Sequence, residues 1–175
     1  SIIGGPICWS FDQANSLDQL KDFDHIFIGD AENYIGSLIN DIYNNQPISN
    51  IIRAKDRFKI NDSLPFYRPM LDNTIDRYYG AVLEVSRGCP FLCEFCDIRI
   101  LKDNNRPHNK PIKLIIEELD HLSNLGVKQV LLACDNFIGD PRWAEQLLDE
   151  ILDWQDRTGS NLNLYTWLTI NLSEL

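Results

Sequence analysis

The chain has 175 residues, 44% of them hydrophobic and 24% charged, with a net charge of −10. That is globular composition, which excludes a disordered tail or a collagenous repeat, and no apolar run nears the roughly 18 residues of a membrane span. An excess of acids repels phosphate backbones, so no nucleic-acid partner is expected, and a cytoplasmic location is the default expectation.

The charge is uneven: residues 1–62 sum to −4, 63–110 to +1 and 111–175 to −7. Only the middle segment welcomes an anion. Met70 is the sole methionine and both ends lie in apolar stretches, so the chain reads as an internal piece of a longer protein. Five cysteines are an odd count, which argues against a secreted disulfide framework.

In chain order, Ile2-Ile3 predicts a short strand running into Gly4-Gly5. Ser16 with Gln19 predicts a capping box that opens a short helix. Ile26-Phe27-Ile28 predicts a second strand. Residues 33–44 place Ile35, Leu38, Ile39 and Ile42 on one helical face. Residues 1–45 therefore read as the closing βαβα part of a parallel sheet. Residues 46–79, rich in Asn, Asp, Pro and Arg, predict a linker with little regular structure.

From residue 80 the pattern is β, long loop, α, β, α, β. Ala81 to Val85 predicts a strand. Ile112, Ile115, Ile116, Leu119 and Leu122 make an apolar helix face that Gly126 stops. Val127 to Ala133 predicts the next strand. Asp140-Pro141 supplies an N-cap and a first-turn proline to a helix lined by Ala144, Leu147, Leu148, Ile151 and Leu152. Gly159 ends it, and Leu162 to Ile170 predicts a third strand. Such alternation means parallel strands with right-handed crossovers.

Ligands of these sheets bind at the carboxyl ends of the strands. There the sequence puts Cys89, Cys93 and Cys96, spaced C-x3-C-x2-C, after the first strand of the second half, and Cys134-Asp135-Asn136 after the next. Three thiols in one short loop can wrap a single metal centre. Zinc needs four ligands, and Cys134, His108 or His121 would have to supply the fourth from an unusual spacing. Ferredoxins use four cysteines per cluster. Three thiolates on a four-iron cluster leave one iron open, which suits catalysis.

Cys89, Cys93, Phe95 and Cys96 resemble the signature of the radical S-adenosylmethionine superfamily. Ser86 to Ile98, Arg106-Pro107, Lys110 and Asp135 to Gly139 are similar to its cobalamin-domain subgroup, which includes the hopanoid C-2 methylases. Gly4-Gly5-Pro6 and Gly29 to Glu32 are similar to the last loops of the cobalamin-binding domain. The resemblance implies an α/β chain: the end of a Rossmann-like cobalamin-binding domain (1–45), a linker (46–79), and the first part of a (β/α)6 partial barrel (80–175).

It also implies a [4Fe-4S] cluster on Cys89, Cys93 and Cys96, with S-adenosylmethionine on the open iron, Phe95 near its adenine, and Asp135 and Asn136 at its amino group. Reductive cleavage would give a 5′-deoxyadenosyl radical, and cobalamin-dependent methyl transfer or related radical chemistry would follow. The implied partners are a small-molecule or lipid-like substrate and an electron donor such as flavodoxin or ferredoxin. The chain departs from the subgroup pattern at Cys134, Trp167 and His108.

Other residues carry smaller expectations. Arg87, Arg99, Lys102, Arg106 and Lys110 surround the cysteine loop and could balance a reduced cluster or hold an anion. Asp24-His25 has the wrong spacing for a D-x-H-x-x-G cobalt motif, so His25 reads as structural, and His121 reads as a helix-surface residue. Cys8 and Cys134 read as packing residues, and Glu84 as pointing into a barrel lumen. The competing functions are a methylthiotransferase-like radical enzyme without cobalamin and a non-catalytic zinc or iron–sulfur module.

Overall fold

The computed structural model describes residues 1–66, 68–96, 98 and 104–170. These divide into two compact units: residues 1–59 with the described residues of 94–102, and residues 60–93 with those from 104 onward.

The first unit is a three-stranded parallel sheet of β1 (Ile2–Ile3), β2 (His25–Ile28) and β3 (Ile51–Arg53), in that spatial order. β2 pairs Ile26, Phe27 and Ile28 with Ile51, Ile52 and Arg53. As the central strand of a parallel sheet it is apolar on both faces. Ile26 and Ile28 join Cys8 and Leu20 in one core cluster, and the Phe27 ring meets that of Tyr34 at 5.9 Å.

The crossover between β1 and β2 begins with α1 (Pro6–Gln13), whose proline stands in the first turn. There its missing N–H costs nothing. The expected capping box does not form. Leu17–Leu20 is one 3-10 turn without a side-chain cap, and the Ser16 hydroxyl donates to the Ala14 carbonyl instead. α2 (Ile35–Tyr43) matches the expected helix, but only Leu38 of its apolar face is buried.

The expectation of little regular structure over 46–79 needs correction. β3 falls inside it, as does α3 (Arg68–Thr74). Two adjacent isoleucines among Asn and Pro give too short an apolar run to signal a strand, and pairing with β2 supplies what local propensity lacks. Phe66, Leu71 and Ile75 pack against the core of the second unit.

That second unit is a parallel sheet in the order β4 (Ala81–Glu84), β7 (Gln129–Ala133), β8 (Asn163–Thr166). Val82, Leu131 and Tyr165 share one row, and Leu83, Leu132 and Thr166 the next. Successive rows face opposite sides. The face with Ala81, Leu83, Val130 and Leu132 is buried in the core with helices α4 (Ile112–Asn124) and α5 (Pro141–Thr158). Glu84 lies on the opposite face.

Both helix ends follow the sequence signals. Gly126 takes φ +79 after α4 and Gly159 φ +69 after α5, and the Asp140 carboxylate accepts from the Trp143 N–H at 3.3 Å. α5 buries Ala144, Leu147, Ile151 and Trp154. The expected Leu148 and Leu152 are exposed instead, because the buried stripe advances by three and four residues and Trp154 fills its end. The third strand is shorter than expected, stopping at Thr166.

Between β4 and α4 lies a two-stranded antiparallel ribbon, β5 (Ser86–Arg87) with β6 (His108–Asn109). It forms the stem of the cysteine loop.

Candidate functional site

The loop springs from a stem held by several polar bonds. Ser86 donates to Asn109 at 3.1 Å, Asn109 to Asp140 at 2.9 Å, and the Lys110 N–H to the Val85 carbonyl at 2.9 Å. Above the stem, the Asp135 carboxylate oxygen Oδ2 accepts the Gly88 N–H at 2.6 Å and the Asn104 side-chain amide at 3.3 Å. The Asn104 carbonyl in turn accepts the Cys89 N–H at 2.9 Å. One carboxylate at the end of β7 thereby clasps both sides of the loop. Gly88 is required there. Its φ is +91, and a Cβ would run into the Arg106 carbonyl oxygen.

Asn136 is 2% exposed. Its Nδ2 donates to Thr169 Oγ1 at 3.4 Å and to the Cys89 sulfur at 3.8 Å, whereas its Oδ1 is buried with no partner among the described residues. Next to it, Cys134 packs against the core with its sulfur 3.3 Å from Thr166 Oγ1. Burial pushes the Cys134 thiol above its ordinary pKa, and the Thr166 and Trp167 hydrogen bonds oppose that only in part. Cys8 is fully buried, and burial raises its pKa too.

All five cysteines are free thiols. Cys89, Cys93 and Cys96 are partly exposed, and the Phe95 ring is 91% exposed. Among the described residues no group of three or more His, Cys, Asp or Glu side chains is gathered as a metal site. The donor chemistry still fits an iron–sulfur centre, because soft thiolates are its usual ligands. Metal binding also commonly draws a loop's ligands together. The orphaned Asn136 oxygen, beside Cys89, fits a bound group carrying a hydrogen-bond donor.

The basic residues differ in availability. Arg87 grips Glu84 through two bonds of 2.6 and 2.9 Å. Lys110 is 5% exposed and donates to Glu118, so it is a buried structural cation and not an anion site. Arg106 is exposed. Arg99 and Lys102 lie outside the described residues, as does Asp97. His25 shares a hydrogen bond with the Ser49 carbonyl at 3.0 Å, which is a structural use. His121 lies on α4 and meets Asp72 of α3 at 2.9 Å, pinning α3 to α4.

Gly88, Asn104, Asn109 and Thr169 were not singled out in the sequence. Only Gly88 carried a signal there, as a glycine directly before the first cysteine of the C-x3-C-x2-C motif.

In the first unit, Gly29 takes φ +111 and leaves no room for a Cβ, which would stand 2.6 Å from that of Ala54. Asp30 beside it accepts the Phe58 N–H at 2.8 Å.

The comparisons set this parallel α/β fold, with its cysteine loop at a strand's carboxyl end, beside proteins of the radical S-adenosylmethionine class. No protein-family model matches the chain. It is 32% identical to the hopanoid C-2 methylase of Rhodopseudomonas palustris over 90% of its own length and 30% of that protein's. It is 35% identical to an uncharacterized methyltransferase of Synechocystis, over 71% of the chain and 23% of the relative. A shorter match, 34% identical over 42% of the chain and 17% of the relative, is to the ribosomal protein uS12 methylthiotransferase RimO of Sulfurihydrogenibium.

The solved structure of the radical S-adenosylmethionine methyltransferase TsrM of Kitasatospora setae, with cobalamin and a [4Fe-4S] cluster bound, superposes with a TM-score of 0.66. That match has 13% identity and covers 95% of the chain and 37% of TsrM, a likeness of fold. The chain is a relative of the cobalamin-type radical S-adenosylmethionine proteins, and it spans about a third or less of the relatives it matches. Among the described residues no helix is long and apolar enough to cross a membrane.

Proposed function

We propose that the chain carries the cluster-binding part of a radical S-adenosylmethionine enzyme, with Cys89, Cys93 and Cys96 as the ligands of one [4Fe-4S] cluster. When bound there, such a cluster would supply the electron for reductive cleavage of S-adenosylmethionine. The observation that carries this reading is the clasp: Gly88, Cys89, Asn104 and Asp135 fix the loop at the carboxyl end of β7.

The chain's own residues then have definite tasks. Asp135 holds the loop, and contributes to the amino group of S-adenosylmethionine only through the carboxylate oxygen that the loop does not occupy. Asn136 offers its unpartnered Oδ1 to that same ammonium, a charge-assisted bond. Phe95, exposed here, is available to cover the adenine.

By analogy with the hopanoid methylase and TsrM, the reaction is methyl transfer to a small-molecule or lipid-like substrate. Cobalamin would sit over the loops at Gly4 to Pro6 and Gly29 to Glu32, in a domain ending near residue 45. The electron would come from a donor such as flavodoxin or ferredoxin, in the cytoplasm. Methylthiolation is the second reading, favoured by the similarity to RimO.

Anaerobic reconstitution with iron and sulfide tests the assignment. Cys89→Ala, Cys93→Ala and Cys96→Ala each remove most of the cluster absorbance, whereas Cys8→Ala and Cys134→Ala keep it. If Cys134→Ala strips the cluster as completely as Cys93→Ala, the three-ligand reading fails.

A further inference from the structure

We infer that Asn136 sets the reduction potential of the iron–sulfur centre by donating its side-chain amide to the Cys89 sulfur. The inference rests on the cysteine assignment proposed above and adds a role that the bare ligand set does not contain.

A thiolate accepts hydrogen bonds and cannot donate them, so the Nδ2 edge of the amide must be the one that faces it. That is the observed arrangement: Nδ2 lies 3.8 Å from Cys89 Sγ and 3.4 Å from Thr169 Oγ1.

The geometry is held from several sides. The Asn136 carbonyl accepts the Gly139 N–H at 3.0 Å, and the following N–H, of Phe137, donates to the Trp167 carbonyl at 2.9 Å. On the other side, the Cys89 N–H is anchored to Asn104. Donor and acceptor are therefore both fixed by backbone bonds.

An apolar side chain of the same shape would fill this space without burying a lone carbonyl oxygen, which is costly. Besides the Oδ1 offered to the ammonium, the amide adds a buried N–H beside the Cys89 sulfur. Reduction adds negative charge to the centre, and part of that charge resides on the thiolates. A donor aimed at one of them stabilises the reduced form more than the oxidised form, and so raises the potential. Asp135, the neighbouring acid, is turned toward Gly88 and Asn104. Asn136 is the side-chain donor that the structure records on the Cys89 sulfur.

The test compares the wild type, Asn136→Leu and Asn136→Asp, each reconstituted anaerobically and titrated electrochemically while the reduced centre is followed by electron paramagnetic resonance. At the wild-type midpoint, Asn136→Leu is expected to hold about tenfold less reduced centre relative to oxidised, which for one electron is a midpoint lower by about 59 mV. Asn136→Asp keeps the shape, loses the donor and adds charge, so its midpoint falls at least as far. If Asn136→Leu does not fold, Asn136→Ala replaces it, losing the donor without adding charge, and a lower midpoint there supports the inference. Unchanged midpoints in the variants that assemble a centre overturn it. Failure of the wild type itself to assemble a centre would instead overturn the cysteine assignment, and this inference with it.

Discussion

At the scale of single residues, the cysteine loop depends on one glycine as much as on its thiols. Gly88 combines a positive φ with a close backbone neighbour, while Gly126 has a similar φ and open space around it. Replacing each with Ala separates the two effects. Gly126→Ala bears only the left-handed backbone cost, about 1–2 kcal/mol. Gly88→Ala adds a collision with the Arg106 carbonyl, which gives way only by moving the loop. A denaturant midpoint should therefore fall further for Gly88→Ala, and its iron content after reconstitution should fall as well, while Gly126→Ala retains its iron. Equal effects on both measurements would show that the close approach at Gly88 does not matter. The thiol spacing was legible because it is local. Asn104 and Asp135 were not legible as partners, since they lie 31 residues apart and neither reveals whom it will meet.

At the scale of elements, the extents and end signals of α4 and α5 were legible, although the buried stripe of α5 runs through Trp154 and leaves Leu148 and Leu152 exposed. Their periodicity and glycine stops are written within one turn of the chain. α1 was missed because its signal is a single proline after Gly5, whereas the Ser16 and Gln19 pair marked only the 3-10 turn at Leu17–Leu20. The β5–β6 ribbon was invisible, because pairing Ser86 with Asn109 is a long-range choice made by the stem's side chains.

The buried pair of Lys110, just before α4, and Glu118, midway along it, is likewise an element-scale device. Lys110 closes the stem, and Glu118 binds it at 2.5 Å while accepting the Phe66 N–H at 3.2 Å. It thus joins the stem, α4 and the chain before α3. Glu118→Gln keeps an acceptor for Phe66 but leaves a buried ammonium without its counter-charge, a loss of about 3–5 kcal/mol. Adding Lys110→Met removes the orphaned charge, so the double variant should recover most of that loss. If the double variant is no more stable than Glu118→Gln by denaturant unfolding, the pair is not the source of the penalty.

At the scale of the whole molecule, the two units repeat one device. In each, the central strand of a three-stranded parallel sheet ends in a short loop whose aspartate accepts a backbone N–H from a distant segment: Asp30 from Phe58, and Asp135 from Gly88. The carboxyl end of a central strand is flanked on both sides, which makes it the stiffest place to anchor a loop. That stiffness can be measured. β7 is paired to both β4 and β8, whereas β4 and β8 are each paired on one side only among the described residues. Local opening of an outer strand breaks one ladder and exposes half-buried side chains such as Leu164, while opening β7 breaks two ladders and uncovers Val130 and Leu132. Exchange of backbone amides with deuterium should therefore be slowest over Val130 to Ala133. Over Leu164 to Thr166 it should be faster by at least about tenfold, the rate equivalent of 1.4 kcal/mol in opening free energy. If the β8 amides outlast those of β7, the anchor lies elsewhere, and Asp135 would clasp the cysteine loop to a strand that itself moves.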